Sequence, residues 1–163
     1  MNTLQEQLSH AIKLRETGSH EEARKLLLKL HVEFPDDAQV NYQCAWIHDL
    51  LGLEKDAIPF YEKAIQVGLQ DNDLRNALLG MGSTYRCIGE YQKAKETFET
   101  ALEKFPDGNE FKVFLSMVYY NLKEYSKAME LLLNNIAETS KDENVTQYQR
   151  AIQFYADKLD ETW

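Results

Sequence analysis

Little in this chain interrupts a helix. Only 7 glycines and 3 prolines occur among 163 residues, and no run of Val, Ile and Thr marks a strand, so a mostly helical fold is expected. Cysteine is as scarce. Cys44 and Cys87 are too few for a disulfide framework and have no metal-ligand spacing, which points to a reducing compartment. No apolar run approaches the roughly 18 residues a membrane span needs. The opening MNTLQEQLSHAIKLRE has no basic segment followed by an apolar one, so no secretory signal is expected and the protein is placed in the cytoplasm. Positive charge is in deficit, with 18 Lys and Arg against 27 Asp and Glu and a net charge of −9. That balance repels phosphate backbones and anionic lipid, so neither nucleic acid nor membrane is expected as a partner. Also missing are a glycine-rich phosphate loop, a Gly-x-Ser-x-Gly elbow and a His-Glu-x-x-His string. Nothing therefore points to an enzyme, a cofactor or a metal.

What the chain does contain is a repeat. GSHEEARKLLLKLHVEFPD, GLEKDAIPFYEKAIQVGLQ, GEYQKAKETFETALEKFPD and KEYSKAMELLLNNIAETSK begin at Gly18, Gly52, Gly89 and Lys123, separated by 34, 37 and 34 residues. Such self-similarity decides the fold before any other signal. Five positions into each string stands alanine (Ala23, Ala57, Ala94, Ala128), and four further on a large apolar residue (Leu27, Tyr61, Phe98, Leu132). With Leu30, Ala64, Ala101 and Asn135 these positions share one helical face. Seven residues before each start is a small residue, Ala11, Ala45, Gly82 or Ser116, which lets a second helix approach closely. Each unit thus reads as a helix, a tight turn and an antiparallel helix, with the glycine supplying a left-handed turn residue. Pro59 is read as lying near the start of its helix, where a missing backbone donor is tolerated.

Gly82, Tyr85, Gly89, Tyr91, Ala94, Phe98, Ala101 and Pro106 resemble the tetratricopeptide repeat (TPR) pattern at every spacing. The resemblance implies an all-α fold, a TPR superhelix of four helix-turn-helix repeats within one domain, residues 1–163. The repeats are placed at about 4–37, 38–74, 75–108 and 109–142. Residues from about 144 to 161 read as one amphipathic capping helix, with Tyr148, Ile152 and Tyr155 covering apolar surface, because a stack of repeats needs a polar outer end. That makes nine helices.

In the proteins this sequence resembles, the first helices of successive repeats line a concave groove. The corresponding positions here are Leu8, Ile12 and Arg15; Tyr42, Trp46 and Asp49; Leu79, Ser83 and Arg86; and Val113, Met117 and Tyr120. The best-known TPR grooves clamp an acidic C-terminal peptide with lysines and asparagines. Those positions hold Leu8, Ile12, Gln43, Asn76 and Gly80, so no such clamp is expected. Aromatic and methionine side chains suit an apolar or amphipathic helix or extended segment of another protein, with neutral or basic flanks. The leading expectation is an interaction scaffold or adaptor without chemistry of its own. A homodimer through the aromatic surface is an alternative. A thiol enzyme using Cys44 and His48 is another, although the repeat register equates those positions with Met81 and Leu115 and with Tyr85 and Tyr119, as core sites would be.

Overall fold

The computed structural model describes residues 3–163. Ten helices run through them, with no strand among the described residues. Helices α1 (Leu4–Glu16), α2 (His20–Glu33), α3 (Ala38–Leu50), α4 (Glu54–Val67), α5 (Asp71–Cys87), α6 (Tyr91–Lys104), α7 (Asn109–Asn121) and α8 (Tyr125–Thr139) follow the order expected of the four repeats. Two short helices, α9 (Glu143–Thr146) and α10 (Gln149–Tyr155), follow. The chain divides into two compact units, one ending at Gly89 and one from Glu90 to Trp163. In the first, α2 packs on α1 and α3, α4 on α3 and α5, and α1 and α5 each border α3. In the second, α7 packs on α6 and α8, and α10 lies against α8.

Local chemistry sets the helix ends. Thr3 and Glu6 close a capping box at α1: the Glu6 amide donates to Thr3 Oγ1 at 3.3 Å and the Thr3 amide to Glu6 Oε2 at 2.8 Å. Asp37 caps α3 by accepting from the Val40 amide at 2.8 Å. At the turns, Ser19, Leu53 and Glu124 donate their amides to the carbonyls of Leu14, His48 and Tyr119, each at 2.9 Å. Gly18, Gly52 and Lys123 donate to Arg15, Asp49 and Tyr120. This paired arrangement needs a left-handed residue, and φ is +86° at Gly18, +70° at Gly52 and +83° at Gly89. Lys123 adopts +63°, so the register that aligned a lysine with three glycines is followed by the backbone despite the Cβ.

The repeat alanines and their partners form the core. Ala11, Ala23, Leu27 and Leu30 are buried with Val40, Cys44 and Ile47, while Tyr42, Ala45, Ala57, Tyr61 and Ala64 form a second cluster with Leu69 and Ala77. In the second unit the buried Phe98 ring meets Phe111 and Phe114, with centroids 6.4 and 6.1 Å apart.

Two local expectations change. Pro59 is the sixth residue of α4, so one intrahelical bond is absent; the ring sits on the exposed side and α4 continues through it. The C-terminal segment is also two short helices instead of one. The Tyr148 amide bonds to the Val145 carbonyl three residues back at 3.0 Å, tightening the chain at Gln147 and Tyr148. That break rotates the second half. Ala156 is buried and Ile152 half-buried, whereas Tyr148 and Tyr155, expected to cover apolar surface, are exposed. Phe154, Tyr155 and Trp163 cluster at centroid distances of 5.1 to 6.2 Å on that outer surface.

Candidate functional site

In the first unit, α1, α3 and α5 lie side by side, and polar side chains tie them together. Arg15 Nη1 donates to Gln43 Oε1, linking α1 to α3. Gln39 donates to Asp73 at 2.6 Å, and Thr84 donates to Asp49 at 2.9 to 3.0 Å, linking α3 to α5. Tyr61 of α4 donates to the same Asp49 carboxylate at 2.6 Å. Gly80 makes room for this, since a Cβ there would overlap the Tyr61 hydroxyl.

The twelve residues assigned from sequence are distributed unevenly. Leu8 and Tyr42 are buried, and Ile12, Asp49, Leu79, Ser83 and Arg86 are half-buried. Arg15 is only 7% exposed, with its Cζ stacked 3.6 Å from the centroid of the Trp46 ring. Trp46 remains 37% exposed and leans against Tyr42 at 5.7 Å. In the second unit Val113 is half-buried, while Met117 and Tyr120 are exposed on α7, with Tyr120 meeting Tyr125 edge-on at 5.2 Å. Gln43, Tyr61, Asp73 and Thr84 were not assigned from sequence. For Gln43, Asp73 and Thr84 the only signal was a polar residue on a first helix, and for Tyr61 its place among the large core residues of the second helices; periodicity alone gives none of them a partner.

Burial also sets the electrostatics. It draws the Arg15 guanidinium below its usual value and pushes the Tyr42 hydroxyl up to about 12. Asp49 is raised above the ordinary 3.8, chiefly by burial, against the opposing hydrogen bonds from Tyr61 and Thr84. A carboxyl raised on folding contributes stability fully below 3.8 and loses it as pH climbs through its folded value. Asp49→Asn keeps an acceptor for Tyr61 and gains a donor toward Thr84. We expect wild type to lose stability relative to Asp49→Asn as pH rises above 3.8, read from urea unfolding at several pH values. A difference that stays constant or grows in favour of wild type contradicts the assignment.

The thiol and imidazole singled out from sequence are structural. Cys44 is buried, its Sγ donates to the Leu27 carbonyl at 3.5 Å, and burial pushes the thiol up to about 12. It is therefore not a thiolate at neutral pH. Both ring nitrogens of His48 have partners other than the sulfur: Nδ1 donates to the Cys44 carbonyl at 2.7 Å and Nε2 receives Arg24 Nε at 3.4 Å. Among the described residues no group of three or more His, Cys, Asp or Glu is placed to hold a metal, and no helix is long and apolar enough to cross a membrane.

Several solved structures share this fold. MamA 41-end from Desulfovibrio magneticus RS-1 superimposes with a TM-score of 0.76 at 16% identity, covering 96% of this chain and 87% of that one. MamA from AMB-1 gives 0.75 at 16% identity, with 82% and 77% covered. MamA from MSR-1 gives 0.67 at 19% identity, with 80% and 77% covered. None of the curated protein sequences compared with the chain matches it. The sequence profile of the family described as tetratrico peptide repeat matches residues 38–159. Eight successive helices with a buried alanine at each repeat position, left-handed residues at Gly18, Gly52, Gly89 and Lys123 and that match together establish that the chain belongs to the tetratricopeptide repeat family.

Proposed function

We propose that the protein is a cytoplasmic interaction scaffold or adaptor that holds an apolar or amphipathic segment of another protein and performs no chemistry of its own. In this reading residues 1–163 act as one domain of four repeats, and the first-helix positions that keep exposed surface, Trp46 in the first unit and Met117 and Tyr120 in the second, face the partner. The observation that carries it is the exposure of Trp46, Met117 and Tyr120. All three lie on first helices, and side chains of this kind dominate contact surfaces. The net charge of −9 favours neutral or basic flanks on the partner.

The test is Trp46→Ala combined with Tyr120→Ala, measured on a partner isolated from the native host and then titrated as purified protein. Anchors of this type contribute about 2 kcal/mol or more each to an interface. Tyr120 is 63% exposed, so its removal should change folding by no more than about 0.5 kcal/mol. Binding should weaken at least about a hundredfold while unfolding stays cooperative. Unchanged affinity, or outright unfolding of the double variant, would remove the reading.

A second reading, self-association, is favoured by the exposed Phe154, Tyr155 and Trp163 cluster, since contiguous apolar surface marks contact sites. Light scattering on the eluting protein decides it. A monomer at micromolar concentration sinks this alternative.

A further inference from the structure

The second unit carries an open cleft of about 330 Å³, lined by Tyr119 of α7 and by Lys127, Glu130, Leu131 and Asn134 of α8. The α8 residues follow one another at steps of three, one and three, which places them on a single helical face. Charge around the cleft is unevenly paired. Glu124 bridges two ammonium groups, Lys95 at 3.6 Å and Lys127, and both lie within 5.7 Å of the Tyr119 ring centroid. The Tyr119 hydroxyl in turn donates to Glu99. Glu130 stands outside this network. It is exposed, and no hydrogen bond or ion pair among the described residues engages it or the half-buried Asn134. Two cations therefore stand against the three carboxylates Glu99, Glu124 and Glu130, and the one left over is in the cleft.

Such a lining selects a cation with a hydrocarbon stem. The unpaired carboxylate supplies the charge and Asn134 a neutral acceptor, while Leu131 and Tyr119 offer apolar surface of the kind along which long basic side chains lie. Lys127, the one cation in the lining, is already held by Glu124 and does not call for an anion. An ammonium is a compact, strongly hydrated point charge. A guanidinium is planar and less hydrated, takes a carboxylate through two parallel N–H bonds and still has donors left for an amide oxygen.

We propose that the α7–α8 cleft seats an arginine side chain of the partner protein, its guanidinium on Glu130 and Asn134 and its stem along Leu131 and Tyr119. This rests on the scaffold reading above and gives the partner's positive charge a place. Tyr119 in the cleft and the exposed Tyr120 are neighbours on α7, so one helix carries both the seat and an aromatic anchor. The net charge of −9 draws basic segments to the surface in general. The cleft turns that diffuse attraction into a contact with one side chain.

The test titrates three capped peptides into the intact chain and follows the Leu131 methyl and Asn134 side-chain amide signals by NMR. The peptides are Gly-Arg-Gly, Gly-Lys-Gly and Gly-citrulline-Gly, the last with a neutral urea in place of the guanidinium. A single seated side chain should bind with a Kd of about 1 mM. The arginine peptide should bind about fivefold or more tightly than the citrulline peptide, and Glu130→Gln should bring the two within about twofold. The lysine peptide should fall between them. Glu138→Gln removes the same charge from α8 outside the cleft lining and should leave the preference intact. Equal binding of the arginine and citrulline peptides overturns the proposal, as does the absence of saturable binding up to about 10 mM. A preference that survives Glu130→Gln overturns it too, and so does one lost equally with Glu138→Gln, the mark of net charge alone. A lysine peptide that binds as tightly as the arginine peptide overturns the assignment to a guanidinium. No partner enters these titrations, so a failure here leaves the scaffold reading standing unless the Trp46 and Tyr120 substitutions also leave partner affinity unchanged.

Discussion

Phe98→Ala should cost about 3 to 5 kcal/mol of folding stability. Phe98 is fully buried, and its ring is bracketed by Phe111 and Phe114 of the neighbouring helix α7. Truncation removes the transfer free energy of an entire aromatic ring and leaves a cavity. Phe105 already packs on the other side of Phe111 at 6.2 Å, so it is not free to collapse inward. A domain of this size has a total stability of about 5 to 15 kcal/mol, so the variant should sit near the edge of folding. A denaturant midpoint that gives a loss below about 1 kcal/mol would show that the ring is not enclosed.

Ala57→Leu should act through the opposite mechanism and cost about 1 to 3 kcal/mol. Ala57 has no exposed surface and sits in the cluster of Tyr42, Ala45, Tyr61 and Ala64, where α3 and α4 pack against each other. Leucine is as good a helix former as almost any residue, so a loss cannot be blamed on propensity. It must come from prising the two helices apart. Tyr61 has little room to yield, because its hydroxyl is held by Asp49 and its ring already fills the space above Gly80. The measurement is urea unfolding followed by circular dichroism, with Ala57→Ser as a volume-matched control. An unchanged midpoint for Ala57→Leu would contradict the close contact. The two variants together separate loss of packed volume from excess of it.

What the sequence determined alone was everything local or periodic. Alanine recurring at Ala23, Ala57, Ala94 and Ala128 marked core positions of the second helices, and all four are buried. The register that aligned Lys123 with three glycines anticipated its left-handed backbone. These features are legible because helix pairing within a repeat depends on residues a few positions apart, and repetition reinforces a weak signal four times. The C-terminal segment has no such reinforcement: Val145, Tyr148, Ile152 and Tyr155 fit a continuous helix by spacing, yet one tight turn at Gln147 and Tyr148 divides it. Tertiary structure alone decided which first-helix residues meet water. Tyr42 and Trp46 are one turn apart on α3, but Tyr42 is enclosed between Ala45 and Tyr61 whereas Trp46 is left partly open beneath Arg15. The partnership of Arg15 with Gln43 joins residues 28 apart in sequence. No spacing rule reaches that far, because such a contact exists only once two separately formed helices have packed side by side.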